Sequence, residues 1–562
     1  MKKATFSLFA ACALLLCSCS NKMNSLSSDY FNVTPQVLEA VGGEVPVTIN
    51  GTFPAKTFPK KAILTVTPVL KWDGGQASGD AYVFQGEKVE GNYQTIPFKA
   101  GGNFTMKSNF DYQPAMTRSA LYLEPKLKSG SKTKTLPAVK IADGVISTAQ
   151  LYSATAASTA PAYAEDAFQR VIEQVKEASI KFLIQQTNLR MSELNSSEMN
   201  ELKKTLKDIK ADEENMVLDN VEVSAYASPD GDFDLNDRLA EVRQNNAEKY
   251  MNEQLKKAKV DTYVDTEYTA EDWEGFQELV AASNIPDKDI ILRVLSMYKE
   301  PEAREREIKN ISSVYGELAD EILPQLRRAR LSLHYQVIGR DDDQIMQAFK
   351  DEPAVLSVEE LLYAATLVET DAEKDAIYKK TIALYPKDYR AFNNLAQMAY
   401  AKGDYATAKS YLEKALAVNP AAAEANTNLG MIALVEGNAA LAESYLAKGT
   451  EAAASETALG NLYIAQGQYE RAVNAFGDTK SNAAALAQIM AKNYTKAKTT
   501  IDAIETPDAY THYLNAILGA RTNNASRVAE GLVKAIKLDP SFKQKAANDL
   551  EFAKFAATIA GL

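Results

Sequence analysis

Cysteine and histidine are nearly missing from this chain of 562 residues. The three cysteines, Cys12, Cys17 and Cys19, all stand at its start, and the two histidines, His334 and His512, are far apart. Beyond Cys19 the chain therefore has no disulfide, no thiol nucleophile and no cysteine-held metal, and histidine metal sites and general bases are removed with them. A glycine-rich phosphate cradle is missing too, and no spacing among the many Asp and Glu residues selects a carboxylate pair, so no enzyme activity, metal or cofactor is expected. Basic charge is in deficit: 62 Lys and Arg face 74 Asp and Glu, a net charge of -12, which argues against nucleic acid as a general partner. No hydrophobic run after the first eighteen residues is long enough to cross a membrane.

What is present begins with Lys2 and Lys3, an apolar stretch at 6–16, and then Leu16-Cys17-Ser18-Cys19. Residues 1–18 read as a secretion signal. The last four residues resemble a bacterial lipobox, which implies cleavage before Cys19 and lipid on that cysteine, with ordinary signal cleavage nearby as the alternative. A diacylglycerol and an amide-linked chain together make a stable anchor, whereas one acyl chain holds only marginally. No Asp follows Cys19, which favours the outer membrane. The acidic cluster usual in surface-directed Bacteroidota lipoproteins is lacking before Asp29, which favours a periplasm-facing position and leaves surface exposure open.

Residues 19–153 read as an N-terminal all-β domain behind a short tether. Runs at 44–49, 62–70 and 120–124 alternate in strand fashion between Gly-Gly, Asp-Gly-Gly and Ser-Gly turns, the spacing of a β-sandwich. Lys126, Lys128, Lys132 and Lys134 flank one such turn as a solvated hairpin tip. The stretch 148–164 is rich in Ala, Ser and Thr, and 154–164 is expected to be a linker.

The stretch 220–251, NVEVSAYASPDGDFDLNDRLAEVRQNNAEKYM, organises the next domain, 165–340. Val221, Val223 and Ala225 alternate with polar residues as a strand, Ser228-Pro229-Asp230-Gly231 breaks it, and a helix follows with Asp234 placed to cap it. Leu235, Leu239, Val242 and Tyr250 recur at helical spacing, and Arg243 has no carboxylate three or four residues away on its own helix. Here the chain resembles the OmpA C-terminal-like domain, with Asn236, Leu239 and Arg243 in register with the family's motif. The resemblance implies an α/β fold and contact with peptidoglycan, Arg243 gripping the diaminopimelate carboxylate as a planar bidentate donor. The family's loop Asp, which takes the diaminopimelate ammonium, is replaced by Ser228, leaving Asp230 as the residue able to substitute. A solvated Arg243, or one paired with an internal acid, is the alternative. Strands are expected at 180–184, 217–227, 260–268 and 329–338, a helix at 197–212, and a helical insertion at 270–328.

From 341 to 562 the chain repeats itself. Leu395 and Leu429, Gly403 and Gly437, Ala408 and Ala442, Tyr411 and Tyr445, and Pro386 and Pro420 are each thirty-four residues apart. This is the tetratricopeptide period, and it implies an all-α solenoid of helix pairs. An imperfect copy starts near Ser357, a third carries Gly460, Gly467 and Phe476, and 541–562 reads as a capping helix. Asn393, Asn394, Asn426 and Asn428 fall on first helices, and the resemblance to tetratricopeptide repeats, which use polar side chains at such positions to hold an extended peptide backbone, implies that role for them, since Asn both donates and accepts; solvation is the alternative. The whole reads as a non-enzymatic envelope scaffold. Its partners are the membrane through lipid, peptidoglycan through the OmpA-like domain, and envelope proteins through the repeats. The alternative is a surface-exposed adhesin or assembly factor whose OmpA-like domain no longer binds the wall.

Overall fold

The computed structural model describes residues 23–285, 287–310 and 315–561. The signal at 1–18 and Cys19 lie outside the described residues. Two compact units are present, one combining the chain up to Glu165 with the residues from Val368 onward, the other spanning Asp166 to Leu367.

The first unit opens with eleven strands: β1 (Phe31–Thr34), β2 (Val37–Glu39), β3 (Glu44–Phe53), β4 (Ala62–Trp72), β5 (Gly75–Ser78), β6 (Tyr82–Gly86), β7 (Gln94–Ile96), β8 (Gly102–Asp111), β9 (Ser119–Ser129), β10 (Lys132–Thr135) and β11 (Val139–Ile146). The runs expected at 44–49, 62–70 and 120–124 lie inside β3, β4 and β9. One sheet has the order β1-β3-β8, the other β2-β11-β9-β4-β6-β7, with β5 and β10 hairpinned onto β4 and β9. Alternate residues of both sheets, such as Val45, Val47 and Ile49 from one and Leu64, Val66 and Leu121 from the other, form a single core. At its centre Phe104 packs on Phe53 and Phe84, each at 4.7 Å between ring centres, and sits so close to Gly51 that a Cβ there would come within 2.0 Å of the ring.

The same unit contains the repeats. Helices pair as Arg390–Ala401 with Tyr405–Val418, Ala423–Val435 with Ala439–Leu446, Ser455–Ala465 with Tyr469–Phe476, Asn482–Met490 with Tyr494–Asp502, and Ala509–Arg521 with Ala525–Leu538. Gly403, Gly437 and Gly467 turn the first three pairs at positive φ, and Lys492 and Asn523 adopt the same left-handed backbone in the last two without glycine. The end of the array is broken into Ser541–Asn548, a 3-10 turn Leu550–Phe555 and Ala556–Ala560, where one capping helix was expected. Sandwich and repeats share a seam. Arg521 donates to Glu39 of β2 and to Glu551, Arg118 donates to Asn548, and a Cβ on Gly467 would sit 2.8 Å from Val41.

In the second unit β12 (Val171–Lys181), β13 (Met216–Tyr226), β14 (Val264–Thr269) and β15 (Arg328–Ile338) form one sheet in the order β12-β15-β13-β14, with only β13 and β14 parallel. Helices Ser197–Ala211 and Phe233–Ala258 bury Met199, Leu202, Leu206, Met251 and Leu255 against Ile180, Val221, Val223, Leu331 and Leu333. The first strand lies earlier than the expected 180–184, because its ladder with β15 ends at Lys181 and leaves Leu183 and Ile184 exposed. The third starts later than 260, because Lys259 closes the preceding helix at φ 60° and a connection follows. The helices between β14 and β15 have their own core of Phe276, Val280, Ile291, Leu318 and Leu326. Helices Asp342–Asp351 and Val358–Ala364, expected within the repeat domain, belong instead to this unit: Arg340 pairs with Glu360 at 2.9 Å and Phe168 stacks on Tyr363 at 4.5 Å.

Candidate functional site

Two constellations carry the candidate residues, one in each unit. The first is the inner face of the repeats, and it is filled by the chain itself. Residues 148–165, expected to be a loose linker over 154–164, form a strap that begins with a 3-10 turn (Thr148–Leu151), continues as a helix (Tyr152–Ala157) and then runs extended. Leu151, Tyr152 and Ala156 are buried with the array's own core, and the Tyr400 hydroxyl donates to the Ala156 carbonyl at 2.7 Å. Thr148 donates to Glu551 at 2.6 Å and Thr155 to Asn461 at 3.2 Å.

The extended half is held by asparagine amides. Asn428 Oδ1 accepts from Ala162 N–H at 2.7 Å, and its Nδ2 donates to the Ala162 carbonyl at 2.8 Å. Asn394 treats Ala164 in the same way, with both bonds at 2.9 Å. Asn393 adds a second bond to the Ala162 carbonyl at 3.1 Å and accepts from Asn428 at 3.0 Å. The geometry follows from the extended backbone, in which alternate residues present N–H and C=O to one edge, so that two primary amides from successive repeats read Ala162 and Ala164, two residues apart, as a neighbouring strand would. Tyr163 and Tyr378 hydroxyls meet at 3.1 Å, and Arg390 donates to the Glu165 carbonyl at 3.4 Å. Asn393, Asn394 and Asn428 thus hold an extended segment, and that segment is internal. Asn426 does not touch it; it donates to the carbonyls of Pro420 and Ala422 at the start of its own helix. Asn461 and Tyr400 escaped the sequence reading; in the third repeat the place of Asn394 and Asn428, nine residues before the turn glycine, is taken by Ala458, and Asn461 lies three residues further on.

The second constellation gathers Arg243, Asn236, Ser228 and Asp230 at the end of β13. The buried face of the helix Phe233–Ala258 is Asn236, Ala240, Arg243, Gln244, Ala247 and Met251, not the expected stripe, and Val242 is exposed. Asp232, two residues before the expected Asp234, is the cap, accepting from Leu235 N–H at 3.2 Å. Arg243 is 1% exposed. Its Nε donates to the Gln186 carbonyl at 3.1 Å, its Nη1 to the Tyr226 carbonyl at 3.0 Å, and its guanidinium lies 5.1 Å from the Phe182 ring. Burial, joined by the neighbouring cation Arg327, lowers its pKa to about 10, with Asp230 acting in the opposite sense.

Asp230 already has a cation. Arg327 Nη2 donates to it at 3.1 Å and Arg327 Nε to Ser228 Oγ at 3.1 Å, while Asn236 donates to the Ser228 carbonyl at 3.1 Å. The cavity beside Asp230, lined by Trp273, Phe276, Ile308 and Leu323, has a volume of about 20 Å³, room for one water and not for a diaminopimelate side chain. Arg327 was missed in the run Leu326-Arg327-Arg328-Ala329-Arg330. All three arginines turn back into the unit, Arg328 onto Asp272 at 3.1 Å and Arg330 onto the Tyr226 hydroxyl at 3.0 Å.

Two tetratricopeptide repeat family matches fall on this chain, at residues 377–410, starting in the helix Asp371–Leu384 that precedes the pairs described above, and at residues 399–462, reaching the helix Ser455–Ala465. No curated protein matches it. Among solved structures it is similar to a tetratricopeptide repeat protein from Parabacteroides merdae ATCC 43184, with 17% identity, 36% of this chain and 88% of that one covered, and a TM-score of 0.28. It is also similar to pilF of Pseudomonas aeruginosa, with 16% identity, 39% and 99% covered and a TM-score of 0.28, and to yeast Tom70, with 11% identity, 64% and 78% covered and a TM-score of 0.24. Likenesses this distant assign no function. The repeats themselves are established by the family matches, and they mark the chain as a protein-interaction scaffold.

Proposed function

We propose that this chain is a non-enzymatic docking scaffold held at the outer membrane by lipid on Cys19, with its sandwich and repeats acting as one stiff interaction module. The observation that carries this reading is the strap. A repeat array joined to the preceding β-domain by Leu151, Tyr152 and Ala156 in its core and by the Tyr400 bond to the Ala156 carbonyl presents its surfaces from one body rather than from a string of loose domains.

In this reading the OmpA-like unit is a structural insertion. The β-α-β order with Arg243 on the second helix supports the family resemblance, but the arginine that would grip a stem-peptide carboxylate already serves two internal carbonyls. The acid that would take the ammonium already serves Arg327. This favours the form of the scaffold that does not hold peptidoglycan through Arg243. The test combines two fractions of the same cells. Cys19→Ser is expected to move the protein from the membrane to the soluble fraction, and protease applied to intact cells is expected to spare it. A Cys19→Ser protein that stays in the membrane would remove the anchor, and cleavage on intact cells would place the scaffold on the surface instead.

A further inference from the structure

The strap has two halves of different character. The first, 148–157, contributes Leu151, Tyr152 and Ala156 to the hydrophobic core of the array and is a fixed part of it. The second, 158–165, contributes mainly backbone. Its side chains at the clasped positions are the methyls of Ala162 and Ala164, and its bonds to Asn393, Asn394 and Asn428 all go to main-chain groups.

We propose that the groove filled by residues 158–165 is an exchangeable peptide site, and that its outside ligand is an extended segment of a partner protein with small side chains at alternate positions around an aromatic residue. Amide clasps are blind to sequence, because any extended backbone offers the same N–H and C=O. Exchange therefore leaves no buried amide unpaired, and each bond lost by the strap is remade by the incoming chain. Selectivity comes from size. Ala162 and Ala164 are only 3% and 1% exposed, so a larger side chain at either place does not fit, while the Tyr163 hydroxyl has a phenolic neighbour in Tyr378. The tethered strap competes at an effective concentration on the order of millimolar, so a weak free peptide is kept out and a partner gathered at the same membrane is not.

This deepens the docking-scaffold reading and rests on it. The experiment reports groove occupancy alone, so its failure leaves the anchor, tested by fractionation, untouched. A fluorescent peptide of residues 157–168 is titrated into the full chain and into the Ala162→Arg, Ala164→Arg variant, whose own strap no longer fits. The variant is expected to bind the peptide at least ~10-fold more tightly than wild type, and adding Asn394→Ala and Asn428→Ala to it is expected to abolish binding. Equal weak binding by wild type and a folded strap variant overturns the proposal. Amide exchange on the wild-type chain decides the case if the variant does not fold. The amides of Ala162 and Ala164 are expected to open locally, well before the buried first helices; exchange only together with those helices makes the strap a permanent strut and overturns it.

Discussion

The side-chain amide of Asn428 and the backbone of Ala162 exchange two hydrogen bonds, at 2.7 and 2.8 Å, across 266 positions of sequence. Each such bond contributes about 1 kcal/mol net. Asn428→Ala is expected to speed amide exchange at Ala162 by roughly 30-fold, the factor for two bonds. Asn426→Ala, which loses only local helix-start bonds, is expected to leave exchange at Ala162 unchanged. Equal effects from both substitutions would mean the clasp is not specific.

Arg243 holds the loop at Gln186 to the end of β13 at Tyr226. Arg243→Ala removes the donors of two inward carbonyls and opens a hole beside Phe182, and is expected to cost about 3 kcal/mol in a denaturant titration. Co-sedimentation with purified peptidoglycan is expected to be the same for wild type and variant. A stable Arg243→Ala protein that lost sedimentation would return the arginine to the wall.

The Arg327 and Asp230 pair at 3.1 Å is shielded on both sides, with 11% and 15% of the side chains exposed. Removing one partner from such a pair strands the other, and Asp230→Asn also leaves Arg327 beside Arg243 with no acid between them. A loss of roughly 3 kcal/mol is expected. Asp230→Asn combined with Arg327→Met is expected to recover part of that loss, and strict additivity in the double variant would show that the two do not interact.

Glu360 completes the capping box of its helix by accepting from the backbone N–H of the cap residue Ser357, and it pairs with Arg340. Burial acts to raise its pKa, but the Ser357 amide, the Arg340 guanidinium and the Ser357 hydroxyl outweigh it and hold the carboxyl below its ordinary value of 4.5. A carboxyl lowered in the folded state contributes stability that is whole above 4.5 and is lost as pH falls through the folded value. Glu360→Gln is therefore expected to cost about 1.5 kcal/mol near neutrality, with the gap to wild type closing below pH 4.5. A gap independent of pH would show that the charge is not what stabilises this helix.

Much of this architecture was legible in residue spacing. The thirty-four-residue recurrence of Gly403 and Gly437, and of Ala408 and Ala442, gives the helix pairs because turn geometry and close packing restrict the residue at those places. The last two pairs were fainter because Lys492 and Asn523 carry the left-handed turn without glycine. The helix at Arg243 was rotated in the reading from sequence. Ala240 and Ala247 let it approach the sheet closely, so the small residues define its buried face and Val242 is left outside. The strap was hidden for a related reason. A run of Ala, Ser and Thr has too little apolar surface to read as core, yet 148–164 carries no charge in a chain that is 24% charged, and that was the available sign of burial. Arg327 was hidden because its partner Asp230 lies ninety-seven positions away.

The groove's occupancy is open to one direct measurement. A photo-crosslinking benzoylphenylalanine in place of Tyr378, whose hydroxyl lies 3.1 Å from that of Tyr163, captures whatever lies beside it in living cells. Mass spectrometry of the product is expected to join position 378 to a peptide containing Tyr163 of the same chain. A product joined only to other proteins, with no internal crosslink to 158–165, would contradict a groove filled from within.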